Sequence, residues 1–243
     1  LPERHPMTDH DERRTPLPGE NRQGWMMFRH GGPLQLLELT PEQVDVRDII
    51  HGLGQINRFN GQSARPIPVL WHSLMVMQLC AAHDPATRLE ALFHDAAETY
   101  VGDWIRPLRG VLGDRLLQLR ETIQETVFEA VGLPGRSAKL SPPVHHADNL
   151  MLRCEMESPW GYGRIVSWYE PPSDAERSAV QDATTEIGCP PANALDRERM
   201  QALFLEHANR LAGAGAPIRA SIETADRSRS ASRATVAALL NAV

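Results

Sequence analysis

The sequence predicts an all-α protein, and three patterns support this fold class. Apolar side chains recur at intervals of three and four residues through most of the chain from residue 40 to residue 211, which is the spacing of one helix face. Several of these stretches begin with a capping residue followed by proline, the signature of a first helical turn. Residues 25–39 instead show two short extended segments around His30-Gly31-Gly32-Pro33, which predict a small N-terminal hairpin.

The predicted helices follow one another along the chain with their own start and stop signals. Capping residues or prolines mark most of the starts, and glycines mark several of the ends. The predicted helices are one that begins at Thr40-Pro41 and carries Val44, Val46, Ile49, Ile50 and Leu53, one from about Pro68 through Leu79, and one from Asp84-Pro85 to Gly102. The remaining ones are Asp114–Val131, one opened by Ser141-Pro142-Pro143 that runs to about Glu157, and roughly Asp174–Ile187 and Ala194–Leu211.

These elements divide the chain into four parts. Residues 1–23 are polar and rich in proline, and they predict a disordered segment. Residues 24–157 form one helical domain, and residues 158–212 form a helical extension packed on it. Residues 213–243 predict a weakly ordered tail. The extension contains the aromatic run Trp160-Gly161-Tyr162-Gly163 and Ser167-Trp168-Tyr169, for which a lid, an oligomer contact and a loop packed on the core all stay open.

Composition excludes several classes of function. The net charge of −6 over 243 residues argues against a basic surface that binds nucleic-acid polymers. Three cysteines, far apart and odd in number, predict neither a disulfide framework nor a CxxC zinc site. No apolar run reaches the ~18–20 residues of a membrane span, and the N-terminus has no signal-peptide core. We therefore expect a cytoplasmic protein without a membrane partner, and a homodimer stays open.

The strongest chemical signal is the pair His94-Asp95, followed by Glu98, in an otherwise apolar helical stretch. Burying a carboxylate beside an imidazole is costly unless both groups have a partner. A divalent metal ion is the simplest such partner, because it accepts a neutral imidazole nitrogen and a carboxylate oxygen together. The pair therefore predicts metal-assisted chemistry.

Two further residues occupy positions that are unusual for a helical core. His72 lies among apolar residues of the second predicted helix, and Asp148 lies in the middle of a helix, where aspartate is a poor helix former. Together with His94 and Asp95 they supply two imidazoles and two carboxylates. This set suits one divalent ion and leaves positions for water and a substrate oxygen, with Mn, Co, Fe, Zn and Mg all open.

The same residues resemble the H…HD…D signature of the HD-domain metal-dependent phosphohydrolases. The similarity covers about residues 25–157 and is greatest to the nucleotide-acting branch, which contains bacterial 5′-deoxynucleotidases and phage-type dATP triphosphohydrolases. The resemblance implies a compact HD-domain helical bundle. The segments that carry it are Asp45-Val46-Arg47-Asp48-Ile49-Ile50-His51-Gly52-Leu53, Arg58-Phe59-Asn60-Gly61, His72-Ser73, His94-Asp95-Ala96-Ala97-Glu98 and Gly102-Asp103-Trp104-Ile105-Arg106-Pro107-Leu108-Arg109.

The resemblance also implies roles for single residues. In the similar nucleotidases the residues that match Glu98 and Asp103 are catalytic, and the arginine that matches Arg58 contacts the nucleotide near the sugar-phosphate. Glu98 lies one helical turn after Asp95, so it could instead orient His94, and Asp103 could instead anchor a loop. These alternatives stay open.

Other side chains are candidate substrate contacts on chemical grounds. Arg106 and Arg109 suit bidentate contacts with phosphate, although both could be solvated loop charges. Phe59 and Trp71 could stack on a base, although aromatic residues of helical proteins are more often core. Trp71, next to the predicted ligand His72, is also a departure from the family pattern.

We therefore expect an enzyme that hydrolyses a phosphate ester of a purine or deoxynucleotide, from a 5′-monophosphate to the nucleoside or from a dNTP to the nucleoside and triphosphate. A specialised biosynthetic nucleotide as the substrate is one alternative, and a non-catalytic, metal-stabilised binding module is another. A diiron oxygenase is disfavoured, because only the adjacent His145 and His146 lie between Asp95 and Asp148. Guanosine tetraphosphate hydrolases are disfavoured too, since Glu98 is followed by threonine.

Overall fold

The computed structural model describes residues 24–105, 108, 111, 113–167 and 169–213. Several predictions lie outside these residues: the disordered segment 1–23, the tail from residue 214 onward, and Arg106 and Arg109. Within the described residues the protein is mostly helical with one small hairpin, as the sequence predicts. None of the described helices is long and apolar enough to cross a membrane.

The hairpin consists of β1 (Trp25–Phe28) and β2 (Gly32–Gln35), paired antiparallel with Trp25 opposite Gln35 and Phe28 opposite Gly32. Its turn is attached to the helices by Asp48, whose carboxylate accepts hydrogen bonds from the backbone N–H groups of His30 and Gly31 at 2.7 and 2.6 Å. A buried carboxylate that accepts two backbone hydrogen bonds is well satisfied. The hairpin is therefore held at a defined place on the helical body.

The described helices agree closely with the predicted ones. They are α1 (Val46–Gln55), α2 (Val69–Leu79), α3 (Pro85–Phe93), α4 (Glu98–Val101), α5 (Asp114–Ala130), α6 (Pro142–Glu157), α7 (Asp174–Ile187) and α8 (Ala194–Ala212). Short 3-10 turns precede α1 at Leu36–Glu38 and Pro41–Gln43 and follow it at Arg58–Gly61.

The start of the first helix differs from the prediction. Thr40 and Pro41 begin only a 3-10 turn, which Thr40 and Gln43 close as a capping box, and the chain is extended again at Val44 and Asp45. Asp45 is the true N-cap, because its side chain accepts a hydrogen bond from the N–H of Arg47 at 2.9 Å. The capping signal at Thr40-Pro41 therefore marks a single 3-10 turn and not the start of α1.

The predicted helix from Asp84-Pro85 to Gly102 is interrupted. It ends as α3 at Phe93, and α4 begins at Glu98 after a four-residue turn that contains the His94-Asp95 pair. Backbone bonds to the third residue back replace helical ones here, for example from Ala96 N–H to Phe93 O at 3.0 Å. The site residues therefore lie on a tightened turn and not on a regular helix.

Helix α2 is the centre of the fold. Its residues from Val69 to Met77 are all buried, so it has no solvent face, and α1, α3, α6, α7 and α8 pack around it. The predicted extension packs onto the rest through α7, against α2 and α6, and through α8, against α1 and α3. The rings of Phe93 and Phe204 meet edge to face across the α3–α8 contact, with centroids 5.2 Å apart. This arrangement fixes the one helix that carries His72.

Candidate metal centre

The four predicted ligands lie close together between α2, the turn after α3, and α6. Nε2 of His72 lies 3.2 Å from Oδ1 of Asp148 and 3.9 Å from Oδ2 of Asp95. Nε2 of His94 lies 3.2 Å from that Asp95 oxygen and 3.9 Å from that Asp148 oxygen. His72, His94 and Asp95 are all buried and could together hold a metal ion.

These spacings match the edges of a coordination sphere. Bonds of about 2.1 Å from a metal ion to N or O ligands place neighbouring ligand atoms about 3.0 Å apart in an octahedron and about 3.4 Å apart in a tetrahedron. The distances of 3.2 and 3.9 Å between the four side chains lie at and slightly above this range. Each imidazole is thus spaced from both carboxylates nearly as two ligands of one ion would be.

Both imidazoles are oriented so that Nε2 faces the centre. Nδ1 of His94 lies 2.7 Å from the backbone oxygen of Ala91, so that nitrogen donates its N–H and leaves a lone pair on Nε2. The buried Nε2 has no hydrogen-bond partner among the described residues, and the nearest carboxylate oxygen at 3.2 Å is also an acceptor. Two acceptors that face each other in the core are costly, and a proton or a metal ion between them would remove this cost.

His72 is oriented by Glu155, which the sequence analysis did not identify. Oε1 of this buried glutamate lies 2.8 Å from Nδ1 of His72, so the ring donates its N–H there and Nε2 faces the centre. A carboxylate behind a ligating histidine is a common arrangement in metal sites, where it fixes the ring and strengthens the ligand. The sequence feature that could have identified Glu155 is its spacing: it follows Asp148 by seven residues and thus lies on the same face of α6.

Two arginines border the centre. Nε of Arg58 donates to Oε2 of Glu155 at 3.1 Å, and its Nη1 lies 3.6 Å from Oδ2 of Asp95. Arg120, a second residue that the sequence analysis missed, donates to Oδ1 of Asp95 at 3.3 Å and lies 3.9 Å from Glu98. Each guanidinium therefore contacts Asp95 and lies beside the cavity into which the centre opens.

The buried charged groups of the centre shift one another's pKa values. Burial, and then the charges of Asp95 and Asp103, raise the pKa of Glu98 well above its usual range. Burial and the charge of Arg58 oppose protonation of His72, but the nearby carboxylates outweigh them and raise its pKa to about 9. A cation that binds His72 must therefore displace a proton at neutral pH.

The centre opens into a cavity of about 600 Å³, which is within the usual size range of small-molecule sites. Its polar floor includes His94, Asp95 and Asp148, and Arg58 and Arg120 lie beside it. Its apolar wall comes largely from aromatic and aliphatic side chains of α6 and of the segment that follows it. The apolar members of the lining are Phe59, Ile105, Ala138, Leu140, Leu152, Met156, Tyr162, Val166 and Tyr169.

Phe59, a predicted substrate contact, and Asp103, a predicted catalytic residue, both line the cavity. Phe59 and the next residue, Asn60, adopt left-handed backbone conformations, with φ of 59° and 53°, which non-glycine residues rarely do. The Phe59 ring packs on Tyr162, with centroids 5.2 Å apart. The aromatic run after α6 thus forms part of the cavity wall.

Trp71 lies in the core and not at the cavity, and Glu98 is buried beside the centre. Trp71 is 2% exposed, donates from Nε1 to the backbone oxygen of Gly188 at 2.8 Å, and is absent from the cavity lining. Its position is that of a core residue, because α2 is enclosed on all sides. Glu98 is 1% exposed and lies behind Asp95, one turn along the chain.

Comparison with models of known protein families finds no match. The uncharacterized protein RCAP_rcc00048 of Rhodobacter capsulatus is 33% identical over 148 residues, which cover 58% of this chain and 76% of that protein. The chain belongs to its family. The uncharacterized protein YfdR of Escherichia coli K12 is 32% identical over 118 residues, or 49% of this chain and 62% of YfdR. These relatives carry no stated activity, so a function for this family must be argued from the site.

Proposed function

We propose that this protein is a divalent-metal-dependent phosphohydrolase of the HD type that acts on a nucleotide. The observation that carries the proposal is the convergence of two imidazoles and two carboxylates on the floor of a cavity that is bordered by two guanidinium groups. The H…HD…D order of these residues supports the same assignment. Neither the fold class nor the composition would have carried it alone.

His72, His94, Asp95 and Asp148 would hold the metal ion. Their neutral imidazole and carboxylate donors suit a first-row divalent ion. Such an ion supplies a Lewis acid for a phosphoryl oxygen and lowers the pKa of a water molecule. The chain's own contribution is to hold both imidazoles with Nε2 inward, through Ala91 and Glu155.

The anionic end of the substrate would lie beside Arg58 and Arg120. A guanidinium presents several N–H donors in one plane and can bind a phosphate through two of them. Arg58 is anchored at Nε by Glu155, and its terminal nitrogen Nη1 lies 3.6 Å from Oδ2 of Asp95. Both Arg58 and Asp95 line the cavity. The aromatic wall with Phe59, Tyr162 and Tyr169 would receive the base.

Two carboxyl groups are suited to proton transfer. Asp103 lines the cavity, and Glu98 is buried one turn after Asp95. Hydrolysis of a phosphate ester needs one group to accept a proton from the attacking water and one to protonate the leaving oxygen. We assign this chemistry to Glu98 and Asp103 together. The substrate is either a nucleoside 5′-monophosphate or a dNTP, and a specialised nucleotide with the same phosphate ester would fit the same groups.

The test is turnover by the full-length chain after removal of bound metal and addition of Mn²⁺ or Co²⁺. Monophosphates and triphosphates of ribo- and deoxynucleosides are offered, and released phosphate, pyrophosphate and triphosphate are measured. We expect phosphate from a monophosphate or triphosphate from a dNTP, no activity in EDTA, and no activity in D148N. Full metal binding without turnover on any nucleotide would contradict the proposal and favour a binding module.

A further inference from the structure

A buried glutamine side chain occupies the interruption between α3 and α4. In a continuous α-helix the N–H of Ala97 would bond to the backbone oxygen of Phe93. Here the N–H of Ala97 donates to Oε1 of Gln124 at 3.1 Å, and Nε2 of Gln124 donates to the oxygen of Phe93 at 2.8 Å. The side-chain amide of α5 therefore replaces the missing helical hydrogen bond with two of its own.

The burial of this amide makes the interaction specific. Gln124, Phe93 and Ala97 are each 0% exposed. A buried amide is costly unless both its oxygen and its nitrogen are bonded, and the broken helix supplies one donor and one acceptor. Without Gln124, the N–H of Ala97 would either stay unsatisfied or close the helix onto Phe93.

Closure of the helix would move the site residues. The turn is held by 3-10 bonds, from Glu98 N–H to Asp95 O at 3.0 Å and from Thr99 N–H to Ala96 O at 3.1 Å. A 3-10 turn rises about 0.5 Å more per residue than an α-helix, so closure over four residues would shift the chain by about 2 Å. Metal sites require ligand distances within about 0.2 Å.

The tightened turn also aligns two carboxylates. Side chains three residues apart lie directly above one another in a 3-10 turn, which places Asp95 and Glu98 on one line. Arg120 lies one turn before Gln124 on α5 and reaches both, at 3.3 and 3.9 Å. One face of α5 thus contacts both the backbone of the turn and the predicted metal ligand Asp95.

We propose that Gln124 is a positioning residue that holds the His94–Ala97 turn open and thereby sets His94 and Asp95 for metal binding. This inference rests on the metal centre of the proposed function and is independent of hydrolysis. Its test is therefore metal binding, and a protein that binds metal without turnover would leave it intact.

The test is Co²⁺ titration of the full-length wild type and of Q124M, which keeps the size of the side chain and removes both hydrogen bonds. We expect the Kd for Co²⁺ to rise about 10–100-fold, the usual effect of losing an outer-shell partner, and the visible spectrum of bound Co²⁺ to change. The matched control is V127A, on the buried face of the same helix, which loses packing but has no side-chain hydrogen bond to the turn to lose. V127A should lower stability in urea and keep the wild-type Kd and spectrum.

Three outcomes with the variants would overturn the proposal. The first is a Q124M protein with the wild-type Kd and spectrum, and the second is a V127A protein with the same loss as Q124M. If Q124M does not fold, Q124E replaces it, since a carboxylate still accepts from Ala97 but cannot donate to Phe93 when ionised. A Q124E protein with wild-type Co²⁺ affinity would be the third. A wild type that binds no Co²⁺ would overturn both the inference and the metal centre.

Discussion

Oε1 of Glu155 lies 2.8 Å from Nδ1 of His72, inside the core and behind the metal centre. The second oxygen of the same carboxylate accepts from Nε of Arg58 at 3.1 Å. One buried side chain thus orients a candidate metal-ligand histidine and an arginine that borders the cavity. Burial opposes ionisation of Glu155, but the charges of Arg58 and His72 hold its pKa below its usual range. The ionised form is therefore the one that makes both contacts.

Replacement of Glu155 should weaken metal binding more than it destabilises the fold. E155Q keeps the shape of the side chain but removes the charge that strengthens His72 as a ligand, so we expect the Kd for Mn²⁺ or Co²⁺ to rise about 10–100-fold. Isothermal titration measures it. The matched control is E157Q on the same helix, whose carboxylate pairs with Arg177 at the surface at 2.8 Å. Equal metal affinities of E155Q and E157Q would contradict this role.

Ligand and proton-transfer residues should separate in a paired experiment. D148N removes the negative charge of a predicted metal ligand, whose Oδ1 lies 3.2 Å from Nε2 of His72, so the purified protein should retain almost no metal. E98Q should retain metal close to the wild-type content and lose at least about 100-fold in turnover, the usual size of a lost acid–base group. Metal content by mass spectrometry and initial rates decide the outcome. Equal metal retention by both variants would show that the ligand assignment is wrong.

The contact between α6 and α7 should make stability depend on pH. Glu176 accepts from Nη2 of Arg153 at 2.6 Å, and this bond, with one from the backbone of Ser173, lowers the pKa of Glu176 to about 2. The unfolded chain has a glutamate pKa of about 4.3, so the pair stabilises the fold above that pH and is lost as the pH falls toward 2.

The variant E176Q should therefore lose about 0.5 kcal/mol of unfolding free energy at pH 6, a small value because the pair is partly exposed to solvent. The difference from wild type should shrink below pH 4. Urea unfolding at several pH values measures it, with D182N, an exposed carboxylate on the same helix, as the control. A difference that stays constant between pH 6 and pH 3 would argue against this ion pair.

The segment after α6 should tolerate no side chain at Gly161. A Cβ there would overlap the backbone carbonyl oxygen of Glu155, which cannot move without distorting the end of α6. G161A should cost about 2–3 kcal/mol, as overpacking does in a core, and should loosen the contact between Phe59 and Tyr162. Thermal unfolding measures the loss against S167A, an exposed change in the same segment. Equal stability of the two variants would contradict the close approach.

Features that depend on local chemistry were predictable from the sequence. The start of α3 at Asp84-Pro85 follows from side-chain capping and from the fixed φ of proline, and the start of α6 at Ser141-Pro142 follows from proline; both act within one turn. The candidate ligand Asp148 was recognisable because an aspartate in the middle of a helix has no local reason to be there. Such signals need no knowledge of the neighbours.

Features that depend on partners distant in sequence were not predictable. The interruption after α3 is bridged by the amide of Gln124, 27 residues beyond Ala97, and His72 is oriented by Glu155, 83 residues away. Trp71 was predicted at the cavity, but the helices around α2 enclose it. Each depends on which helices meet, and periodicity does not encode that.

The sequence by itself determined that the chain is helical, where most helices lie, and that two histidines and two aspartates were candidates for one metal ion. Capping, periodicity and residue type are properties of single segments, so they can be read without the fold. Only the tertiary structure decided that these side chains meet, that Ala91 and Glu155 turn both Nε2 atoms toward one point, and that Arg58 and Arg120 border the same cavity. Convergence of this kind results from packing, because helices distant along the chain approach only when their apolar faces are buried together.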